Sequence, residues 1–239
     1  MKRSDLSKHS IVSHEKWIAA RTKFLTKEKA FTKARDELNA SRRALPWERV
    51  EKTYVFEGPD GKETLADLFG GRSQLFVYHF MFAPGAEDGC PHCSFWADHY
   101  DGAGLHLPHR DVSFVAVSRA PLASIEKFQR RMGWRFKWVS SDNTDFNYDF
   151  GVSFTPEQVK RGSMFYNYQT TDAGMPDREG ASVFYKDPKG AVFHTYSCYA
   201  RGIDMLNGTY HVLDMVPKGR DEDPDDSQSW VRYHDRYSN

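Results

Sequence analysis

The sequence lacks most of the features that would assign it to a familiar class at a glance. It has three cysteines, too few and odd in number for a disulfide scaffold. Charge of one sign is missing as well. Lys plus Arg and Asp plus Glu are 33 each, so no overall field draws the chain to nucleic acid or to an anionic membrane. No run approaches the roughly eighteen apolar residues of a membrane span, and Met1 to Glu15 has no apolar core of a secretion signal. A cytoplasmic location is therefore the expectation. Walker loops, Gly-x-Gly-x-x-Gly, HExxH and Gly-x-Ser-x-Gly are absent, which removes support for nucleotide hydrolysis, a Rossmann cofactor, a zincin mechanism and an α/β-hydrolase elbow.

What is present is aromatic. Aromatic residues are 15% of the chain, enough to build a sizeable core in one decorated domain. Gln74 to Phe82 is a nearly unbroken apolar run and predicts a strand buried on both faces. A loop, Ala83 to Gly89, leads to Cys90-Pro91-His92-Cys93, and Ser94 to Tyr100 then follows helical spacing. Two thiols one helical turn apart at a helix N-terminus form the geometry of a dithiol redox site. The first thiol faces unpaired backbone N–H groups that favour its thiolate. Half of a zinc site and inert packing are the competing readings. No second CxxC exists, and only Cys198 with a histidine remains as a source of further ligands.

The flanking pattern gives the organisation. Trp17, Ala20, Phe24, Leu25, Phe31, Ala34 and Leu38 recur at intervals of three, four or seven, predicting a long charged helix over 14–43 with Ser13 as N-cap and Pro46 beyond its end. Its expected role is an arm packed on the domain or on a second subunit. A strand over 52–57, a turn at 58–61 and a helical turn closed by Gly70-Gly71 precede residue 74. Asp111 to Ser118 predicts a second buried strand, Pro121 to Met132 a helix, and 135–139 a short strand. A helix near 155–160 lies in an irregular aromatic stretch. Asp187 to Gly190 joins a hairpin of 181–185 and 191–196, and 203–215 predicts a closing helix. The domain reading is an N-terminal arm over 1–50, one domain over 51–218 with an insertion near 141–180, and a polar tail over 219–239 apart from Trp230 and Tyr233. A β-α-β half followed by a β-β-α half predicts an α/β thioredoxin-like fold, a mixed central sheet flanked by helices. The piece before residue 74 is similar to the N-terminal decoration of peroxiredoxins.

Several stretches together resemble a bacterial family known as DUF899, thioredoxin-like proteins labelled as predicted dithiol-disulfide oxidoreductases. They are Tyr78 to Phe82, Gly89 to Asp98, Val115 to Leu122, Met132 to Phe136, Phe146 to Phe150, Val192 to Ser197 and Tyr199 to Gly202. The resemblance covers roughly residues 8 to 237. Cys-Pro-His-Cys also resembles the site of periplasmic thiol oxidases of the DsbA type. That likeness implies Cys90 as attacking thiol, Cys93 as resolving thiol and His92 as the residue that tunes them.

Two departures stand out. Thioredoxins carry a cis-proline before the strand facing the dithiol, whereas Arg178 to Val183 holds no proline. In the peroxiredoxin Pro-x-x-x-Thr/Ser-x-x-Cys loop, Pro84 is one residue too near Cys90 and Glu87 stands at the hydroxyl position.

His79 reads as a core histidine, His106 and His109 as loop residues, and His194 as distant from the dithiol. Arg119 and Arg201 read as surface arginines with at most an attraction for anionic substrate. The expected function is thiol–disulfide exchange through a mixed disulfide on Cys90, with a small-molecule or protein thiol or disulfide as partner. No cofactor, nucleic acid or membrane is expected, and a homodimer through the N-terminal helix is the expected assembly. A copper- or zinc-binding protein on the same fold and a peroxiredoxin-like peroxidase remain the alternatives.

Overall fold

The computed structural model describes residues 9–172 and 174–238; Met1 to Lys8, Ala173 and Asn239 lie outside the described residues. The chain opens with α1, His14–Arg43, capped by Ser13, whose hydroxyl accepts from the Lys16 N–H. Then come β1 (Glu48–Arg49), β2 (Val55–Gly58), β3 (Gly61–Thr64), β4 (Gln74–His79), α2 (Pro91–Ala103), β5 (Val112–Ser118), α3 (Leu122–Met132) and β6 (Lys137–Ser140). Two short helices follow, α4 (Phe146–Asp149) and α5 (Pro156–Arg161), with a small hairpin of β7 (Met164–Tyr166) and β8 (Gln169–Thr171). The chain returns to the sheet as β9 (Gly180–Lys186) and β10 (Val192–Tyr199), and α6 (Gly208–Leu213) follows.

Among the described residues one sheet has eight strands in the order β1-β10-β9-β4-β5-β6-β2-β3. Its centre is the thioredoxin arrangement. β4 pairs parallel with β5, β9 pairs antiparallel with β4, and β10 pairs antiparallel with β9. The β-α-β crossover through α2 and the β9–β10 hairpin follow the predicted order. β6 extends the sheet parallel to β5 beyond α3, and the β2–β3 hairpin docks on it at Glu57 and Ser140. The N-terminal decoration thus closes one edge, while β1 covers the other by pairing with β10.

Alternation along the strands divides the core. Leu75, Val77, Val115 and Val117 point to one face, where they pack with Phe56, Phe146 and Phe184. Tyr78, Phe80 and Ala116 point to the other, beneath Cys93, Trp96, Ala97 and Tyr100 of α2 and beside Phe128 and Trp138. This second face is largely aromatic, with Phe80 and Trp138 centroids 4.6 Å apart and Tyr78 and Tyr100 4.8 Å apart.

Two expectations are corrected and one is narrowed. The strand predicted to Phe82 leaves the regular ladder after His79, although the Phe80 N–H still reaches Val117 O at 2.9 Å. The closing helix predicted over 203–215 is broken. A 3₁₀ segment, Ala200–Leu206, stops at buried Asn207, whose side chain accepts from the Tyr210 N–H and starts α6. Of the two places expected for α1, its own domain is not one: none of its residues is buried in the single chain. Its last turn touches the body where the Arg42 guanidinium lies 4.9 Å from the Tyr196 ring centre.

Candidate active site

The buried run of β4 delivers the chain to the end of the sheet, where a loop turns it into α2. Pro91 is the first residue of that helix, a position that wastes no hydrogen bond. Cys90 is therefore the N-cap residue, with extended backbone, and its carbonyl accepts from the Ser94 N–H and hydroxyl at 3.0 and 2.9 Å. The Cys90 N–H donates to Met81 O at 3.0 Å, and the Met81 N–H points back at Cys93 Sγ at 3.4 Å. One residue of the preceding loop thus ties down both cysteines. The Tyr78 hydroxyl adds a long contact to the Cys93 carbonyl at 3.4 Å.

The two thiols differ in kind. Cys90 is partly exposed, while Cys93 retains 2% of its surface. The Cys93 thiol donates toward the Cys90 sulfur and holds its pKa below the usual thiol value. The N–H groups of Cys93 and His92 help, against burial and the Glu179 carboxylate. Burial first, and then the neighbouring Cys90 and Glu179, push the Cys93 thiol well up. The pair is asymmetric: the outer thiol is held toward its charged form, and the inner one toward its protonated form.

His92 contributes its backbone N–H to Cys90, and its residue lines a groove of about 520 Å³ with Pro91, Asp88, Arg131, Arg232 and Tyr233. The groove exists because the C-terminal segment returns to the dithiol. Val231 is buried, the Trp230 ring packs on Phe95 at 5.4 Å, and the Tyr233 hydroxyl donates to Gly89 O at 2.6 Å. Gly89 has no room for a side chain, since a Cβ there would lie 2.6 Å from Phe80.

The other candidates fall elsewhere. His79 is a core histidine, as expected. Its Nε2 bonds Ser182 Oγ at 2.8 Å, and burial lowers its pKa to about 3. Ser182 Oγ bonds Ser197 Oγ at 2.8 Å, which bonds His194 Nε2 at 2.7 Å, so the two histidines end one hydrogen-bonded chain on the face opposite α2. His194 also borders a groove of about 570 Å³ with Lys52, Tyr54, Phe150 and Tyr168, which holds no cysteine. Cys198 lies on β10 opposite Ala181, and burial raises its thiol. Among the described residues no three His, Cys, Asp or Glu side chains cluster as metal ligands.

Arg119 is corrected. It is mostly buried and makes a bidentate pair with Asp177 at 2.8 Å while donating to the Tyr148 hydroxyl. Arg201 is an exposed partner of Asp204.

The family described as "bacterial protein of unknown function (DUF899)" matches residues 6–237. The chain belongs to this family. No curated protein matches it. Among solved structures it is similar to peroxidoxin BcpB from Mycobacterium tuberculosis, with 15% identity and a TM-score of 0.45 over 70% of this chain and 96% of that one. It is also similar to a cysteine-to-serine mutant of peroxiredoxin Q from Xanthomonas campestris, with 15% identity and a TM-score of 0.43 over 67% and 89%. A cysteine-to-serine mutant of peroxiredoxin 6 from Arenicola marina shares 13% identity at a TM-score of 0.44, over 65% of each chain. At that level of likeness these neighbours bear on none of the chemistry.

Two residues of this family member were missed from sequence. Glu179 ends the segment before β9, where thioredoxins place their proline. Its carboxylate is near enough to raise both thiols, and its main-chain carbonyl accepts from the Tyr166 hydroxyl at 2.9 Å. The absent proline was the only signal at that position. Tyr233, an aromatic residue in a polar tail, was visible as an oddity but not as a neighbour of residue 89.

Proposed function

We propose that this protein is a thiol–disulfide oxidoreductase working through Cys90 and Cys93. The observation that carries the reading is the asymmetry of the pair. A partly exposed sulfur at a helix N-terminus is favoured as thiolate, beside a buried thiol that keeps its proton. The Cys90 thiolate attacks one sulfur of a substrate disulfide. The substrate S–S bond breaks, one half leaves as a thiolate that takes a proton from water, and a mixed disulfide forms on Cys90. Cys93 then loses its proton to solvent, attacks Cys90 Sγ and expels the second half as a thiolate, which takes a proton from water. Two electrons have passed to the substrate, and one disulfide has formed in the protein. The reverse steps oxidise a dithiol. The partner is a thiol or disulfide of small size or at a protein surface, received beside Pro91 and His92, and His92 tunes the couple.

No helix of the described residues is long and apolar enough to cross a membrane. A peroxidase reading gains nothing from the loop. Glu87 is exposed, and its carboxylate offers no hydroxyl to orient a peroxide.

The test is a titration of the protein in glutathione buffers, with free thiols alkylated and counted by mass. One two-thiol transition confined to Cys90 and Cys93 is expected, leaving Cys198 unchanged. Cys90→Ser should abolish exchange, Cys93→Ser should accumulate a mixed disulfide on Cys90, and His92→Ala should move the midpoint to a lower potential. Both thiols staying free across the range, or normal turnover by both cysteine variants, would sink the proposal.

A further inference from the structure

The helix α1 is the element that its own fold leaves unsupported. It runs for thirty residues, none of them buried. Trp17, Phe24, Phe31 and Leu38 are all more than half exposed, Phe31 at 67%. An isolated helix gains little stability in water, and large apolar side chains along it lower solubility without adding packing.

The spacing of those side chains is informative. They fall on every seventh residue, and a straight α-helix drifts by about 20° per seven residues, so such a line stays straight only when the helix supercoils around another. The complementary line of the heptad holds Ala20, Lys27, Ala34 and Ser41. Large residues on one line and mostly small ones on the other suit two helices running in opposite directions, with large side chains seated beside short ones at most layers.

We propose that α1 is a dimerisation helix that pairs antiparallel with α1 of a second copy of this chain. In the register that sets Trp17 against Ala34 of the second copy, Phe31 meets Ala20 of the second copy and Phe24 meets Lys27 of the second copy. The flanking charges select that register. Arg21 faces Glu28 of the second copy and Lys16 faces Glu37 of the second copy, and two-fold symmetry repeats each pair. Within one chain Arg21 and Glu28 already meet at 2.8 Å, so both lie along the same side of the helix. A parallel pair would oppose Lys27 to itself in the seam and set Lys16 against Arg21. The antiparallel overlap also ends near residue 37, which leaves the last turn, with Arg42 on Tyr196, to its own domain.

The test is sedimentation of the full chain and of two sets of variants. Wild type should sediment at twice the chain mass, and Phe24→Glu with Phe31→Glu at the monomer mass. Thermal unfolding of the domain should stay cooperative in that variant, because neither residue touches the core. Lys16→Glu with Arg21→Glu should also give monomer, and adding Glu28→Lys with Glu37→Lys should restore the dimer. In a parallel pair those two added lysines would face Lys23 and Arg42, and no restoration would follow. A monomeric wild type, a dimer that survives the paired Phe→Glu changes, or a fourfold charge swap that stays monomeric would each overturn the proposal. None of these outcomes depends on the chemistry of the dithiol.

Discussion

The two faces of the central sheet treat a buried titratable group in opposite ways. On the α2 face, Cys90 is partly buried yet held toward its charged form. On the other face, His79 is wholly enclosed and held neutral, with a pKa lowered to about 3. One strand feeds both sites, since alternation along β4 sends Tyr78 to the first face and His79 to the second. Burial is common to both and disfavours charge in both. The difference is what faces the group. Cys90 sees a thiol proton and two backbone N–H donors at the first turn of a helix. His79 sees one serine hydroxyl and the rings of Phe146 and Phe150, at 5.6 and 6.2 Å, and its Nδ1 has no partner. Donors offset the cost of burying the Cys90 thiolate, whereas burial and the neighbouring His194 both hold His79 neutral.

The strongest way to break that comparison is to damage one face and read the other. Trp138 is fully buried on the dithiol face, donates from Nε1 to Ser118 Oγ at 3.0 Å, and packs on Phe80 and Phe128. Trp138→Ala should cost about 3–5 kcal/mol in urea unfolding and also shift the pH midpoint of Cys90 alkylation. Leu75→Ala on the opposite face should cost about 2–5 kcal/mol and leave that midpoint in place. If both variants moved Cys90 equally, the faces would not be separable.

A smaller effect sharpens the inert side. In the unfolded chain His79 takes up a proton near its ordinary value of about 6.5. In the folded protein it does so only near 3. Between those values the unfolded state binds the extra proton, so stability falls as pH drops, by up to about 1.4 kcal/mol per pH unit. The contribution is fully present above about pH 6.5. His79→Leu removes it, and the loss of stability between about pH 7 and about pH 4.5 should be shallower than in wild type. Parallel curves would show that burial of His79 is not what limits acid stability.

Much of this arrangement was legible before folding, for reasons that are local. A buried strand followed by Cys-Pro-x-Cys states its own geometry, because proline starts helices and the apolar run has no other use. The Asp187 to Gly190 turn and the bounds of α1 are equally local. What escaped was tertiary. Arg119 reads as a surface charge until Asp177, 58 residues later, closes on it. The spacing of Ile203, Leu206, Tyr210 and Leu213 is helical, yet Asn207 before Gly208 caps a new helix instead of continuing the old one. The dithiol's own setting is the extreme case, since its last neighbours come from residues 179 and 233.

Tyr233 gives the finest test of how far the reactive face depends on such distant support. Its hydroxyl donates to Gly89 O at 2.6 Å, while its ring is wedged between Phe128, at 5.6 Å, and the Arg131 guanidinium, at 4.8 Å. Gly89 is hemmed in by Phe80 and Phe128, so the peptide entering Cys90 is fixed from both ends, by this bond and by the Cys90 N–H on Met81 O. Tyr233→Phe keeps the ring and deletes one hydrogen bond, at a cost of about 0.5–1.5 kcal/mol. The loosened peptide should align less well with the N–H groups of His92 and Cys93 that favour the thiolate. The alkylation midpoint of Cys90 should then move upward, toward that of an ordinary thiol, with the fold intact. A fall in stability with an unmoved midpoint would make Tyr233 a packing residue alone, and the reactivity of Cys90 would belong to the helix N-terminus and Cys93.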